Sequence, residues 1–178
     1  MRRTALAALA ALTALGISTT DAQAAACANA DKHPAEASVA HLRTATVCLV
    51  NIERRKHGRA KLHANAGLAL AGQRQARDMV KRRYFAHDSL SGADFKARIA
   101  RTGYLKDAGA ILGENLAWGS QGKATPRSIV RSWMASPGHR ANILQPKFRE
   151  IGIGVVRASP RGASHAATYA AEFGRRYR

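Results

Sequence analysis

Three side chains in this sequence have types that acid–base chemistry or metal binding uses: His87, Glu114 and His139. Two neutral imidazoles and one carboxylate are enough protein ligands for zinc, with a fourth position left to water. The same types also form a plainer cluster, in which Glu114 orients a histidine by hydrogen bonding and stiffens its surroundings. The separations are 27 and then 25 residues. Nothing in such spacing is local, unlike two histidines four apart on one helix, so three different elements must converge. Ser136, taken with His139 and Glu114, adds the residue types of a hydrolytic triad. The Gly-x-Ser-x-Gly elbow that presents such a serine is absent, and Ser136-Pro137-Gly138 more simply makes the turn that aims His139. Asn115 and Asn142 are expected to bond loop backbone. Arg140 either pairs with a carboxylate or binds an anionic ligand, and both readings stay open.

The elements that must position these residues follow from periodicity. From Ser38 to about His57, Leu42, Ala45, Leu49 and Ile52 recur at helical spacing, and His57-Gly58 is a stop signal. Glu53-Arg54 reads as a salt bridge on that helix's surface. Asn65 caps a second helix to about Arg82, whose stripe of Leu68, Gly72, Ala76, Met79 and Val80 is rich in small residues and lets a neighbour approach closely. Tyr84 to Gly92 is a loop. Ala93 to Thr102 is a short helix stopped by Gly103. Gly113 to Gly119 reads as extended. Thr125-Pro126 opens a helix with a cap and then a proline, and that helix ends before Pro137. Ile151 to Val156 and Ser164 to Phe173 read as strands. Trp133 and Trp118 line the core or the wall of the site. His33, His41, His57, His63 and His165 lack a partner pattern and read as solvated. Helices early and strands late, without βαβ alternation, predict an α+β layer fold with an antiparallel sheet.

Charge and cysteine usage bound the setting. The chain has 178 residues and a net charge of +18. Residues 1–26 have the form of a secretory signal peptide: Arg2-Arg3, a short apolar run from Ala5 to Ile17, then small residues around Ala22-Gln23-Ala24. Arg2, Arg3 and Asp21 carry +1 of the total, so the remaining chain carries +17. Such an excess favours anionic cell-envelope material or acidic lipid as partners. The basic residues are scattered and follow no helix-turn-helix, zinc-finger or RNP-like pattern, which argues against specific nucleic-acid recognition. No later stretch is apolar for long enough to span a membrane, and the expected location is outside the cell or in the periplasm. The oligomeric state is not legible. In an exported chain an even pair of cysteines, Cys27 and Cys48, favours a disulfide that staples residues 27–43 to the first helix. The alternative, a lipid-modified Cys27, lacks the large aliphatic residue expected three positions before the cysteine.

Six short motifs in order carry a resemblance. They are Leu49-Val50-Asn51-x-Glu53-Arg54, Tyr84-Phe85-x-His87-x-Ser89, Gly113-Glu114-Asn115-Leu116-Ala117, Trp133-Met134-x-Ser136-Pro137-Gly138-His139-Arg140-x-Asn142-Ile143-Leu144, Ile151-Gly152-Ile153-Gly154 and Phe173-Gly174. Together they resemble the bacterial branch of the CAP superfamily, the SCP-like family of cysteine-rich secretory, antigen 5 and pathogenesis-related proteins. The resemblance spans residues 44–174 and leaves 175–178 as a basic tail. It implies an α-β-α sandwich with a central antiparallel sheet and an open cleft. It also implies that His87, Glu114 and His139 line that cleft, with Asn115, Ser136, Arg140 and Asn142 supporting them, and that zinc or another divalent metal binds there. The family's second acidic residue is expected just after the tryptophan-bearing helix. Here Met134-Ala135-Ser136 stands in that place. The implied function is binding of an envelope component, lipid or small ligand; the alternative is a metal-assisted or serine-type extracellular hydrolase.

Overall fold

The computed structural model describes residues 27–106 and 108–177. The signal-peptide reading of residues 1–26 falls outside them. The elements are α1 Val39–Lys56, β1 His63–Ala64, α2 Ala66–Lys81, α3 Phe95–Ala100, β2 Gly109–Ser120, a 3-10 turn at Gln121–Ala124, α4 Pro126–Ala135, α5 Pro137–Leu144, β3 Glu150–Val156 and β4 Ala166–Tyr177. The helix starts follow from their caps. Ser38, Asn65, Asp94 and Thr125 each accept a hydrogen bond from a first-turn amide, at His41, Leu68, Ala97 and Ser128.

One four-stranded sheet runs in the order β1-β3-β4-β2. The long β2–β4 and β3–β4 pairs are antiparallel. The two-residue β1 lies parallel to β3, a small departure from a wholly antiparallel expectation. Helices cover both faces, giving the α-β-α sandwich. On one face α1, α4 and α5 bury Leu42, Leu49, Ile129, Trp133 and Ile143 with Phe148 and Phe173, whose rings stack 5.5 Å apart. On the other face α2 and α3 bury Leu68, Ala76, Met79 and Ile99. The small-residue stripe of α2 does what its composition implies. A Cβ on Gly72 would stand 2.8 Å from the Ala170 carbonyl oxygen, and Gly152 and Gly154 of β3 lie directly under the α2 backbone. A side chain at any of the three would push the helix off the sheet.

Several local readings are corrected. Pro137 does not merely follow a turn: it is the first residue of α5, and Ser136 ends α4 and precedes α5. Two helices therefore meet at one residue, a junction that a Ser-Pro-Gly string hides because each of its members also favours turns. β4 continues past Phe173 to Tyr177, because Gly109, Ala110 and Ile111 pair with its last residues. The supposed basic tail is therefore mostly strand. Arg54 is no surface ion pair. It is fully buried, and Glu53 pairs with Lys56 instead. Arg54 Nε donates to the Ala60 carbonyl, and its Nη1 donates to the carbonyls of Ile143 and Gln145. It thus closes the C-terminal end of α5, where carbonyls lack helical partners. His33 and His57 are also not simply solvated: His33 bonds the carbonyl of His165, and His57 bonds that of Glu53.

The disulfide forms as expected. Cys27 and Cys48 are bonded, with Cα atoms 5.8 Å apart. A second tie fastens the same N-terminal segment, since Arg127 Nε donates to Asp31 at 2.6 Å and the Arg127 amide donates to the Ala30 carbonyl.

Candidate functional site

The site is built around β2, the edge strand on the side away from β1. Alternation along a strand sends Glu114 and Asn115 to opposite faces of the sheet. Glu114 faces the α2–α3 layer, and Asn115 faces the layer of α1, α4 and α5. His87 reaches Glu114 from the loop between α2 and α3, while His139 sits in the first turn of α5, in the opposite layer. The two histidines thus approach around the edge of β2.

That edge is capped by side chains of the motif itself. Asn142 Nδ2 donates to the Glu114 carbonyl at 3.0 Å, and Trp133 Nε1 donates to the Leu116 carbonyl at 3.1 Å. These carbonyls point away from β4 and would otherwise be bare strand-edge acceptors. Asn142 also donates to Asn115 Oδ1, and Asn115 Nδ2 donates to the His139 carbonyl at 2.9 Å. The asparagines therefore bond backbone and each other, as expected, and so fix where α5 holds His139.

The Glu114 carboxylate is almost fully used. His87 Nδ1–H donates to its Oε1 at 2.7 Å, and Arg98 Nη2 donates to its Oε2 at 2.6 Å. Glu114 is 4% exposed and Arg98 7%. Arg98 Nη1 reaches back to the His87 carbonyl at 2.7 Å, so one guanidinium grips both the carboxylate and the loop that carries the histidine. The hydrogen bond to Glu114 raises the His87 pKa above its ordinary value, outweighing the opposing effect of burial. Burial, then the charge on His87, lowers that of His139. The two imidazoles are thereby pushed apart, one towards the acid form and the other towards the free base.

A second acid is present after all, in a different place. Glu172 of β4 is the cross-strand partner of Glu114, so both side chains leave the same face. It is fully buried, and neither of its oxygens meets a donor among the described groups. Burial, followed by the charge and hydrogen bond of Glu114, pushes its pKa well above the carboxylate range. Glu172 is thereby pushed towards its protonated, uncharged form. Sequence reasoning missed both Glu172 and Arg98. The available signal was one glutamate inside the apolar run Ala170-Ala171-Glu172-Phe173 and one arginine beside Ile99 on a short helix.

The remaining expected residues divide. Ser136 Oγ shares a 2.9 Å hydrogen bond with His139 Nδ1, although it caps no amide of α5. Arg140 neither pairs with a carboxylate nor enters this network; it is exposed and donates to His57 Nε2 at 3.2 Å. A metal held by His87, Glu114 and His139 together does not fit this arrangement, because both Glu114 oxygens already accept strong hydrogen bonds. Among the described residues, no three His, Cys, Asp or Glu side chains stand where they could hold one. What the site offers outward is one nitrogen of each imidazole, Nε2 of His87 and Nε2 of His139.

The profile of the cysteine-rich secretory protein family (CAP) matches residues 47–171. Among curated proteins, YkwD of Bacillus subtilis is 36% identical over 125 residues, 70% of this chain and 46% of that protein. The membrane protein YlbC of the same organism is 34% identical over 109 residues, 61% of this chain and 30% of that one. The chain thus spans less than half the length of these curated relatives. Among solved structures, an outer surface protein of Borrelia burgdorferi superposes with a TM-score of 0.62 at 20% identity, covering 74% of this chain and 90% of its own. An extracellular SCP-domain protein of Bacillus anthracis gives 0.60 at 23% identity, covering 77% and 43%.

Proposed function

The chain belongs to the cysteine-rich secretory protein (CAP) family, and from that premise we propose that it is an exported binding protein whose β2-edge site takes an anionic envelope component or lipid. The observation that carries this reading is the pairing of Glu114. Its carboxylate is spent on orienting His87 and answering Arg98, which leaves a rigid, preorganised pair of imidazole donors and acceptors at the surface. Rigid polar groups that need no reorganisation favour binding. The +17 of the chain beyond residue 26 favours an acidic ligand. The disulfide supports an oxidising, extracytoplasmic setting, and no helix among the described residues is long and apolar enough to cross a membrane.

One observation favours hydrolysis as a second reading. The Ser136–His139 hydrogen bond resembles a nucleophile with its base. Against it, Ser136 engages Nδ1 from three residues away, and no acid orients His139 from behind; the Glu114 carboxylate serves His87 instead.

Vesicle co-sedimentation tests the binding reading. Protein should associate with vesicles containing phosphatidylglycerol and not with neutral phosphatidylcholine vesicles. His87→Ala and His139→Ala should weaken the association by more than Arg55→Ser, an exposed change that removes at least as much positive charge. Association untouched by both substitutions would move the ligand away from this site. Covalent labelling of Ser136 by a fluorophosphonate would instead favour the hydrolase.

A further inference from the structure

Beside the β2-edge site, and joined to it through Arg98, lies a pocket of about 250 Å³ lined by Arg74, Gln75, Asp78, Arg82, Ser89, Ser91, Arg98 and Arg101. Four of its eight lining residues are arginines and one is an aspartate. The charges do not cancel locally. Asp78 is used by Tyr84, whose hydroxyl donates to it at 2.6 Å, and more loosely by Arg82 at 4.0 Å. Arg98 is answered by Glu114. That leaves Arg74 and Arg101, from α2 and from the end of α3, with no carboxylate partner among the described residues.

We infer that this pocket is a binding site for a phosphate group, carried by a small phosphate monoester or present as the free ion. Guanidinium forks match the geometry of tetrahedral oxyanions and make charge-assisted hydrogen bonds to them. Arg74 and Arg101 supply forks from two elements, and the Ser91 hydroxyl, which bonds no described group, supplies a further donor. Gathering uncompensated like charges costs free energy, and a bound dianion removes that cost. Arg98 supports the assignment independently. It lines the pocket, its Nε is buried without a partner, and its other nitrogens hold the His87 carbonyl and Glu114 Oε2. An anion here would thus steady the same guanidinium that positions His87. This site lies outside the histidine pair and stands or falls without the binding reading given to it.

The test is calorimetric titration of the full chain with inorganic phosphate at neutral pH, with ionic strength held constant by chloride. The expected result is one saturable site that the double variant Arg74→Ser/Arg101→Ser weakens at least about tenfold, since each lost charge-assisted bond is worth a sizeable part of the affinity. A control, Arg55→Ser/Arg59→Ser, removes the same charge from α1 and the segment after it and should change the affinity less than about twofold. Ring resonances of His87 should shift on saturation in the wild type and stay still in the first variant. Glycerol 1-phosphate is the second probe. Binding as tight as inorganic phosphate or tighter assigns the pocket to the phosphate of a larger ligand, and weaker binding assigns it to the free ion. Absence of saturable phosphate binding, or equal losses in both double variants, would overturn the site and reduce the effect to net charge. Vesicle association that persists in Arg74→Ser/Arg101→Ser would leave the histidine-site reading intact, so the two can fail separately.

Discussion

Glu114 and Glu172 stand opposite each other on adjacent strands, both buried in the protein interior. Two buried carboxylates side by side would repel strongly; burial and the neighbouring Glu114 push Glu172 towards its protonated form, while Arg98 pairs with Glu114. The whole arrangement orients His87. It is a stack of three groups behind one imidazole, assembled from β4, β2 and α3.

Removing Arg98 should therefore be costly. Arg98→Ala leaves Glu114 charged, buried and uncompensated, and loses the hold on the His87 loop. Chemical denaturation should show a loss of roughly 3–5 kcal/mol, the usual cost of breaking a buried pair from one side. Glu114→Gln in the Arg98→Met background, which removes both charges, should recover much of that loss. A double variant as unstable as the single one would show that Arg98 acts through packing alone.

Glu172→Gln tests the raised pKa of Glu172. Glutamine keeps a donor towards Glu114 and cannot ionise. The folded pKa of Glu172 is raised, so its contribution to stability is fully present below the unfolded value of about 4.3 and is lost as pH rises through the folded pKa. The variant should therefore match the wild type below about pH 4.3 and gain on it as the pH rises from there towards the folded pKa. Parallel stability–pH curves for the two proteins would mean that Glu172 ionises normally.

The histidines should titrate on opposite sides of the free value of about 6.5, read by nuclear magnetic resonance of the ring carbons: His87 above it and His139 below. The linkage signs are opposite. His87 stabilises the fold fully below about pH 6.5, and that gain fades as pH rises through its raised pKa. His139 favours the fold at higher pH, and that gain is lost as pH falls through its lowered pKa. In Glu114→Gln the His87 value should fall towards that of a free histidine. A His87 pKa insensitive to that change would break the assigned contact.

Zinc binding should be weak and pH-dependent. Only two imidazole nitrogens are free, with Glu114 fixed behind one of them as an outer partner. Calorimetric titration should give an affinity well below that of sites with three protein ligands, lost when either His87 or His139 is replaced by alanine and lost in mild acid as the rings protonate. Tight zinc binding abolished by Glu114→Ala would show that the carboxylate leaves Arg98 for the metal.

The disulfide predicts a mass increase of two hydrogens on reduction of the purified protein. Replacing Cys27 and Cys48 by serine should cost roughly 2–4 kcal/mol, the usual range for a bridge that closes a short loop. Free thiols in the protein purified without reductant would contradict the bond.

Much of this architecture was legible in the residues. Apolar spacing and caps located α1, α2 and α4, since helix periodicity and first-turn capping are local properties. Six ordered motifs named the fold family, and an even pair of cysteines behind a signal-like N-terminal sequence foretold Cys27–Cys48. The types His87, Glu114 and His139 picked out side chains that the structure brings together at the β2 edge. Only the tertiary structure decided what those types do. The register of β4 against β2 brings Glu172 beside Glu114, and packing of α3 on that face buries Arg98 against both. Arg54 looked like a solvated helix charge until the end of α5 was laid over it. The reason is the same in each case. Local sequence records which groups a side chain carries, whereas its charge state and free bonding capacity depend on burial and on partners brought in from distant elements.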